Sequence, residues 1–282
     1  MNRQNSARTR PGRGRTTTIA AGALSAALLL AQGASAATVQ LLPHRAVYEL
    51  AARPGNGFGS SGSVRGLLTY EISDGCDGWS VNQKAGIDLS PPDGDSVRFE
   101  WSQATWEAKD STTYRYMIKE SQGGGEGTQR RGELRFDQPG GEGTLTTELP
   151  GRSESRVQSA LLPVQHTLSL IERAAAGDLV FYTSIFDATV DQEPVEISAG
   201  FGPASDGWAT GGGKFAPLEK VKSRHVDFAF FVADLPDGTP DFEQSIQLYD
   251  NGVIGEVSFE FAGLQVEGTL RKLEMLEPQN CE

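Results

Sequence analysis

From His44 onward the chain repeats one pattern: apolar and polar residues alternate for a strand's length, then Gly, Pro, Asn or Asp breaks the run. Period 2 sends successive side chains to opposite faces of a strand, so each run marks a strand with one face buried. His44 to Ala52 sets the type, with Ala46, Tyr48 and Leu50 on one face. The same reading gives strands at Val64–Ile72, Ser80–Asp88, Ser96–Glu107, Thr112–Lys119, Gln129–Asp137 and Thr144–Leu149. It resumes at Leu179–Phe186, Pro194–Gly200, Arg224–Val232, Asp241–Tyr249, Gly252–Ala262 and Gln265–Leu276. Lys214 to Lys222 reads as a loop or a short strand. Roughly a dozen to fifteen consecutive strands joined by turn signals predict an antiparallel meander that curls into a barrel or an open spiral. Asn251-Gly252, between two alternating runs, predicts a hairpin with a type I′ turn.

One helix interrupts the strands. Pro163 suits a first helical turn, where its missing N–H is no loss, and Gly177 suits a C-cap. Between them Val164, Leu168, Ile171 and Ala175 recur at helical spacing and form one apolar stripe. A single helix near residues 163–176 is too small to cover a whole sheet, so it is expected to plug or buttress a curved one.

The first 36 residues read as an address. Arg3, Arg8, Arg10, Arg13 and Arg15 form a positive n-region without an acid, Ile19 to Ala31 is apolar, and Ala34-Ser35-Ala36 presents small residues to signal peptidase. The apolar stretch is shorter than the ~20 residues of a spanning helix, so cleavage after Ala36 is expected over an uncleaved anchor. No cysteine follows that site to carry a lipid, and no later apolar run reaches spanning length. The expectation is a signal peptide over 1–36, a single domain over 37–282, no stable membrane anchor, and release into the periplasm of a Gram-negative bacterium. Losing the five n-region arginines leaves 20 of 25 basic residues against 37 acidic ones, a net charge of −17. A chain so acidic is repelled by nucleic acid and by anionic headgroups.

Two cysteines remain, Cys76 and Cys281. An even count in an oxidising compartment argues for a disulfide; two free thiols, or a metal pair short of partners, are the alternatives. A bridge would close 205 residues and hold down the C-terminus.

Catalytic patterns are scarce. His44, His166 and His225 stand far apart and belong to no zinc motif, so each reads as a structural residue. There is no G-x-S-x-G elbow. Gly57-Phe58-Gly59-Ser60-Ser61-Gly62 matches G-x-G-x-x-G, but a strand follows where a dinucleotide site needs a helix, and the segment reads as a hairpin loop. Asp93-Gly94-Asp95 and the group Asp234, Asp237, Asp241 lack calcium-loop spacing and read as turns. No metal, cofactor or catalytic residue is expected. Trp79, Trp101, Trp106 and Trp208, with Phe228, Phe230 and Phe231, either fill the core or line a concave cavity for lipid, glycan or peptide.

Three stretches carry a resemblance: Pro43-His44-Arg45-Ala46-Val47-Tyr48, then Cys76-Asp77-Gly78-Trp79, then Leu161 to Leu168 running on to Phe186-Asp187. With the late hairpin at Asn251-Gly252 and the terminal Cys281, the chain resembles the EipB-type envelope-integrity proteins of alphaproteobacteria. The resemblance implies a β-spiral, a curled sheet that does not close as a standard barrel, and a disulfide between Cys76 and Cys281. It also implies a role in maintaining the cell envelope under stress without an established enzymatic activity. Together with the export signal, the cysteine clasp and the missing catalytic motifs it gives the first expectation: a non-enzymatic protein whose concave face or edge binds a periplasmic protein partner. Two other roles are weighed: a carrier or chaperone holding a lipid or lipoprotein acyl chain inside the curled sheet, and a cell-wall glycan hydrolase using an unrecognised carboxylate pair.

Overall fold

The computed structural model describes residues 39–53, 63–91, 94–190, 192–206, 215–232, 238–261, 263–277, 279 and 281. The signal peptide expected over 1–36 lies outside the described residues, as do Gly57–Gly62, Asp93, Trp208, Gly211–Gly213, Asp234 and Asp237.

Among the described residues eight strands precede the helix: β1 His44–Ala52, β2 Ser63–Asp74, β3 Gly78–Ser90, β4 Val97–Ala108, β5 Thr113–Gln122, β6 Thr128–Phe136, β7 Gly143–Leu149 and β8 Ser153–Val157. Helix α1 spans Pro163–Ala176. Seven strands follow: β9 Val180–Ile185, β10 Val195–Phe201, β11 Ser205–Asp206, β12 Lys222–Phe231, β13 Phe242–Tyr249, β14 Ile254–Phe261 and β15 Leu264–Met275. The described part of the ambiguous stretch, from Phe215, contains a 3-10 turn at Ala216–Leu218 and runs into β12 at Lys222. Every strand pairing is antiparallel, and the order across the sheet is β8-β7-β6-β5-β4-β3-β2-β1-β15-β14-β13-β12-β10-β9, with β11 beside β12. Two meanders are thus joined where the first strand meets the last, with Tyr48 opposite Leu270 on one side and Leu68 on the other.

The sheet curls without closing. Register shifts at Val47/Tyr48, Arg131/Gly132 and Ile246/Leu248 mark bulges, which bend a strand and sharpen its twist. Gly268 of β15 allows the tightest inner contact there: a Cβ would stand 2.6 Å from Val257 and 2.9 Å from Leu50. β8 and β9 end the strand order and do not pair with each other. The chain leaving β8 instead runs beside β9, where Leu161 N–H donates to Ser184 O and Phe186 N–H donates to Leu161 O, both at 2.9 Å. This is the expected many-stranded all-β spiral, stitched at its seam by one bridge.

Helix α1 sits inside the curl. Ile72 and Val81 from one arm of the sheet share a buried cluster with Val164, Leu170 and Ile171 of the helix and with Ile197 and Phe228 from the other arm. The buried stripe is Val164, His166, Leu170, Ile171 and Ala174, turned from the expected one: Leu168 is only half-buried and Ala175 is exposed. Spacing alone could not place the stripe because Ala174 and Ala175 are equally apolar. Gly177 takes φ 90°, its N–H donates to Ala174 O at 3.2 Å, and Asp178 N–H donates to Arg173 O at 3.1 Å. These two bonds make a Schellman cap, as the glycine predicts.

The Asn251-Gly252 hairpin joins β13 and β14 as expected, but not through a type I′ turn. Only Gly252 has positive φ (84°), and its N–H donates to Tyr249 O at 2.9 Å. Type I′ needs positive φ at both central residues.

Candidate functional site

Two cavities bordered by the described residues open on the interior of the curl, and Gln83 and Gln244 line both. The outer one, the mouth, has a volume of 790 Å³. Its wall is the inner face of β1 to β4 with β13 and β14: Leu50, Leu68, Ile87, Phe99, Trp101 and Phe259 all face it. Phe99 and Phe261 brace each other edge to face at 5.0 Å. Alternation explains this wall, since each residue belongs to the inward set of its strand. Gln83, Gln122 and Gln244 add amides to it, and Glu100, Glu120, Glu126, Glu243 and Glu260 border it; Glu100, Glu243 and Glu260 alternate with inward neighbours and so belong to the outer face of the sheet. Glu100 accepts from Arg98 at 3.1 Å and Glu120 from Arg130 at 3.3 Å, while Glu126, Glu243 and Glu260 are exposed.

The inner chamber, 230 Å³, lies under the N-terminus of α1. His44, Tyr70, Gln103, His166 and Asp187 face it among Ile and Phe side chains. Burial lowers the pKa of both histidines, His166 to about 4, so both rings are neutral at pH 7. His44 Nδ1 lies 2.6 Å from Leu42 O, and His166 lies against Phe181 and Phe228. Asp187 is pushed up by burial although it accepts from the N–H and the hydroxyl of Thr189, at 2.9 and 2.8 Å.

Glu107 completes this end of the molecule. A helix start leaves N–H groups unpaired, and Leu162, at the cap position of α1, has no side-chain acceptor for them. Glu107 of β4 supplies it from across the interior: its carboxylate accepts from Val164 N–H at 2.7 Å and Gln165 N–H at 2.8 Å. Gln165 reaches back to Leu162 N–H at 3.4 Å, the other half of a capping box. Burial pushes Glu107 up to about 7, against the pull of these two N–H bonds, and the negative charge of Asp187 adds to the rise. The group fixes the start of the helix.

The residues singled out in the sequence are dispersed. Trp101 is in the mouth, Phe228 and Phe230 in the chamber wall, and Trp79 packs half-buried at the edge of the main core. Trp106 lies under the Arg115 guanidinium, 4.8 Å from the ring centroid, and Phe231 is half-buried. His225 is exposed beside Asp227 at 3.0 Å. Sequence reasoning missed Glu107 and Asp187, because a carboxylate inside a curled sheet carries no local signature. One hint existed: Glu107 occupies an inward position of β4.

Cys76, in the turn between β2 and β3, is bonded to Cys281 with Cα atoms 5.5 Å apart and 205 residues enclosed. β1 lies between β2 and β15, and Leu276 N–H donates to Pro43 O at 2.9 Å, so the tail leaves beside that turn. The bridge clasps the end of the sheet opposite the mouth.

An EipB-like family model matches residues 35–277. The chain belongs to the EipB-like family. A curated relative, the Cell envelope integrity protein EipB of Brucella abortus (strain 2308), is 24% identical over 249 residues, covering 86% of this chain and 87% of that protein. A crystal structure from Brucella abortus, described as a beta-barrel-like protein of Domain of Unknown Function DUF1849, superposes with a TM-score of 0.74. At 22% identity it covers 85% of this chain and all of its own, and it supports the fold of this EipB-like protein.

Proposed function

We propose that this EipB-like protein works in the periplasm as a non-enzymatic support of cell-envelope integrity under stress, by holding a periplasmic protein partner at the mouth of its spiral. The observation that carries the reading is the mouth itself, a 790 Å³ cleft with apolar walls and convergent polar groups at its rim. Open clefts of about 300–1,000 Å³ with such a lining are the usual form of binding sites. The name of the Brucella relative supports the envelope role, and the leader-like first 36 residues support export. The chamber gives chemistry little to work with: its histidines are neutral and shielded, and Glu107 and Asp187 are engaged by backbone N–H groups.

Deleting the gene in its native host and plating on a detergent and on a cell-wall antibiotic tests this. The deletion strain should plate poorly on both, and the full chain should restore it where a chain lacking residues 1–36 does not. Wild-type plating of the deletion strain on both media would refute the role. A second reading is favoured by the apolar wall of the same mouth: a carrier of a lipid or lipoprotein acyl chain. Stoichiometric lipid in the mass spectrum of the purified native protein would support that reading, and a clean apo mass would count against it.

A further inference from the structure

The inner chamber under helix α1 gathers polar atoms that the fold itself leaves unpaired. His44 of β1, Gln103 of β4 and His166 of α1 line it, and each is more than nine-tenths buried. Among the described residues, His44 Nε2, Gln103 Oε1 and His166 Nε2 have no hydrogen-bond partner in the protein. Folds rarely bury such atoms unsatisfied, because each then loses its water without a replacement. Three of them around one cavity call for an occupant.

The role of one atom is fixed. Leu42 O can only accept, so the His44 Nδ1 that lies 2.6 Å from it carries the proton. Nε2 of the neutral ring is then an acceptor, and an occupant must bring it an O–H or N–H. Gln103 and His166 are adaptable, since an amide and an imidazole can each turn a donor or an acceptor toward the chamber. Charge of either sign is unwelcome. Burial keeps both imidazoles neutral although Asp187 shares the lining, so the place does not favour a positive charge; burial also pushes Asp187 upward, so it does not favour a negative one. Among the described residues no Lys or Arg lines the chamber, and no group of three His, Cys, Asp or Glu is placed to hold a metal ion. The rest of the wall is apolar, with Val81, Leu170, Ile197, Phe228 and Phe230. Its 230 Å³ far exceeds the ~10–15 Å³ that one water needs and falls below the ~300 Å³ at which sites for drug-sized ligands begin.

We infer that the inner chamber binds a small neutral molecule carrying hydroxyl groups on an apolar skeleton, its hydroxyls on His44 Nε2, Gln103 and His166 and its skeleton against Ile197, Phe228 and Phe230. This site is separate from the mouth and stands whatever the mouth holds.

The test uses the purified chain with its leader removed and its histidines labelled with nitrogen-15. Resorcinol is the probe, a neutral ring with two hydroxyls; m-xylene has the same shape without donors, and benzoate and benzylammonium carry the two charges. Resorcinol should shift the Nε2 signals of His44 and His166 and leave that of the exposed His225 in place. The other three compounds should bind at least tenfold more weakly. Gln103→Met and His166→Leu should each weaken resorcinol about tenfold. Ala85→Phe, which fills the mouth, should leave its affinity unchanged. Resorcinol that shifts neither buried histidine would overturn the inference and leave a chamber for water only, and this wild-type result decides even if a variant fails to fold. Equal binding of m-xylene or of either ion, or full affinity in both chamber variants, would overturn it as well. Loss of the shifts in Ala85→Phe would also overturn it, by placing the probe in the mouth.

Discussion

Replacing Glu107 by alanine separates two opposed effects at the start of helix α1. The substitution leaves the N–H groups of Val164 and Gln165 buried without their acceptor, at about 1–3 kcal/mol for each buried unpaired donor. At pH 5 the folded protein holds Glu107 protonated, because its pKa of about 7 lies above the ordinary 4.5. There the alanine variant should lose about 3 kcal/mol, or about 6–12 °C in Tm for a domain of this size. At pH 8 the carboxylate is charged in both folded and unfolded chains, and the wild type itself carries the burden of a buried charge. A carboxyl whose folded pKa is raised stabilises the fold most below the unfolded pKa and progressively less as pH rises through the folded one. Between pH 5 and pH 8 the wild type therefore loses about 2–3 kcal/mol that the variant does not lose, and the two should converge. Urea titrations of both proteins at the two pH values, followed by circular dichroism, measure this. A destabilisation that is equal at both pH values, or larger at pH 8, would refute the reasoning, since the two N–H bonds would then outweigh burial.

His166 has the opposite sign: its folded pKa of about 4 lies below 6.5, so acidification weakens the fold. Relative to wild type, His166→Leu should gain about 2 kcal/mol on going from pH 8 to pH 5, read from the same titrations; no relative gain would mean the ring is not shielded. Replacing Cys76 and Cys281 together by serine opens a loop of 205 residues and should cost up to about 5 kcal/mol in the chain-entropy model. Thermal melts check this, and an unchanged Tm would show that the clasp is dispensable. Gly268→Ala sets a Cβ 2.6 Å from Val257 and 2.9 Å from Leu50 and should destabilise by about 1–3 kcal/mol through overpacking; a neutral melt would mean that β15 shifts freely.

Strands were legible where burial alternates strictly. In β1 the inward positions His44, Ala46, Tyr48 and Leu50 are all buried, and the sequence pattern locates the strand without help. It could not locate β8, whose Ser153, Glu154, Ser155 and Arg156 are all exposed at the end of the sheet, nor the two-residue β11. The helix was legible through Pro163 and Gly177, which act through local backbone geometry. Its docking face was not, because that face is set by β2, β10 and β12, strands distant in sequence. The same separation hid the site. Phe99 and Phe261 meet only after the sheet curls, and Glu107 reaches the helix across 57 residues of chain. The even cysteine count pointed to a disulfide and left free thiols and a metal pair open; the Cys76–Cys281 bond decides among them.

The central claim is that the mouth does the work in the envelope, and one complementation experiment addresses it. The deletion strain would carry either the wild-type gene or the Ala85→Phe variant, each exported at equal level and with equal Tm, and be plated on detergent. The account predicts rescue by the wild type and none by the variant whose mouth is filled. Full rescue by the filled variant would contradict it.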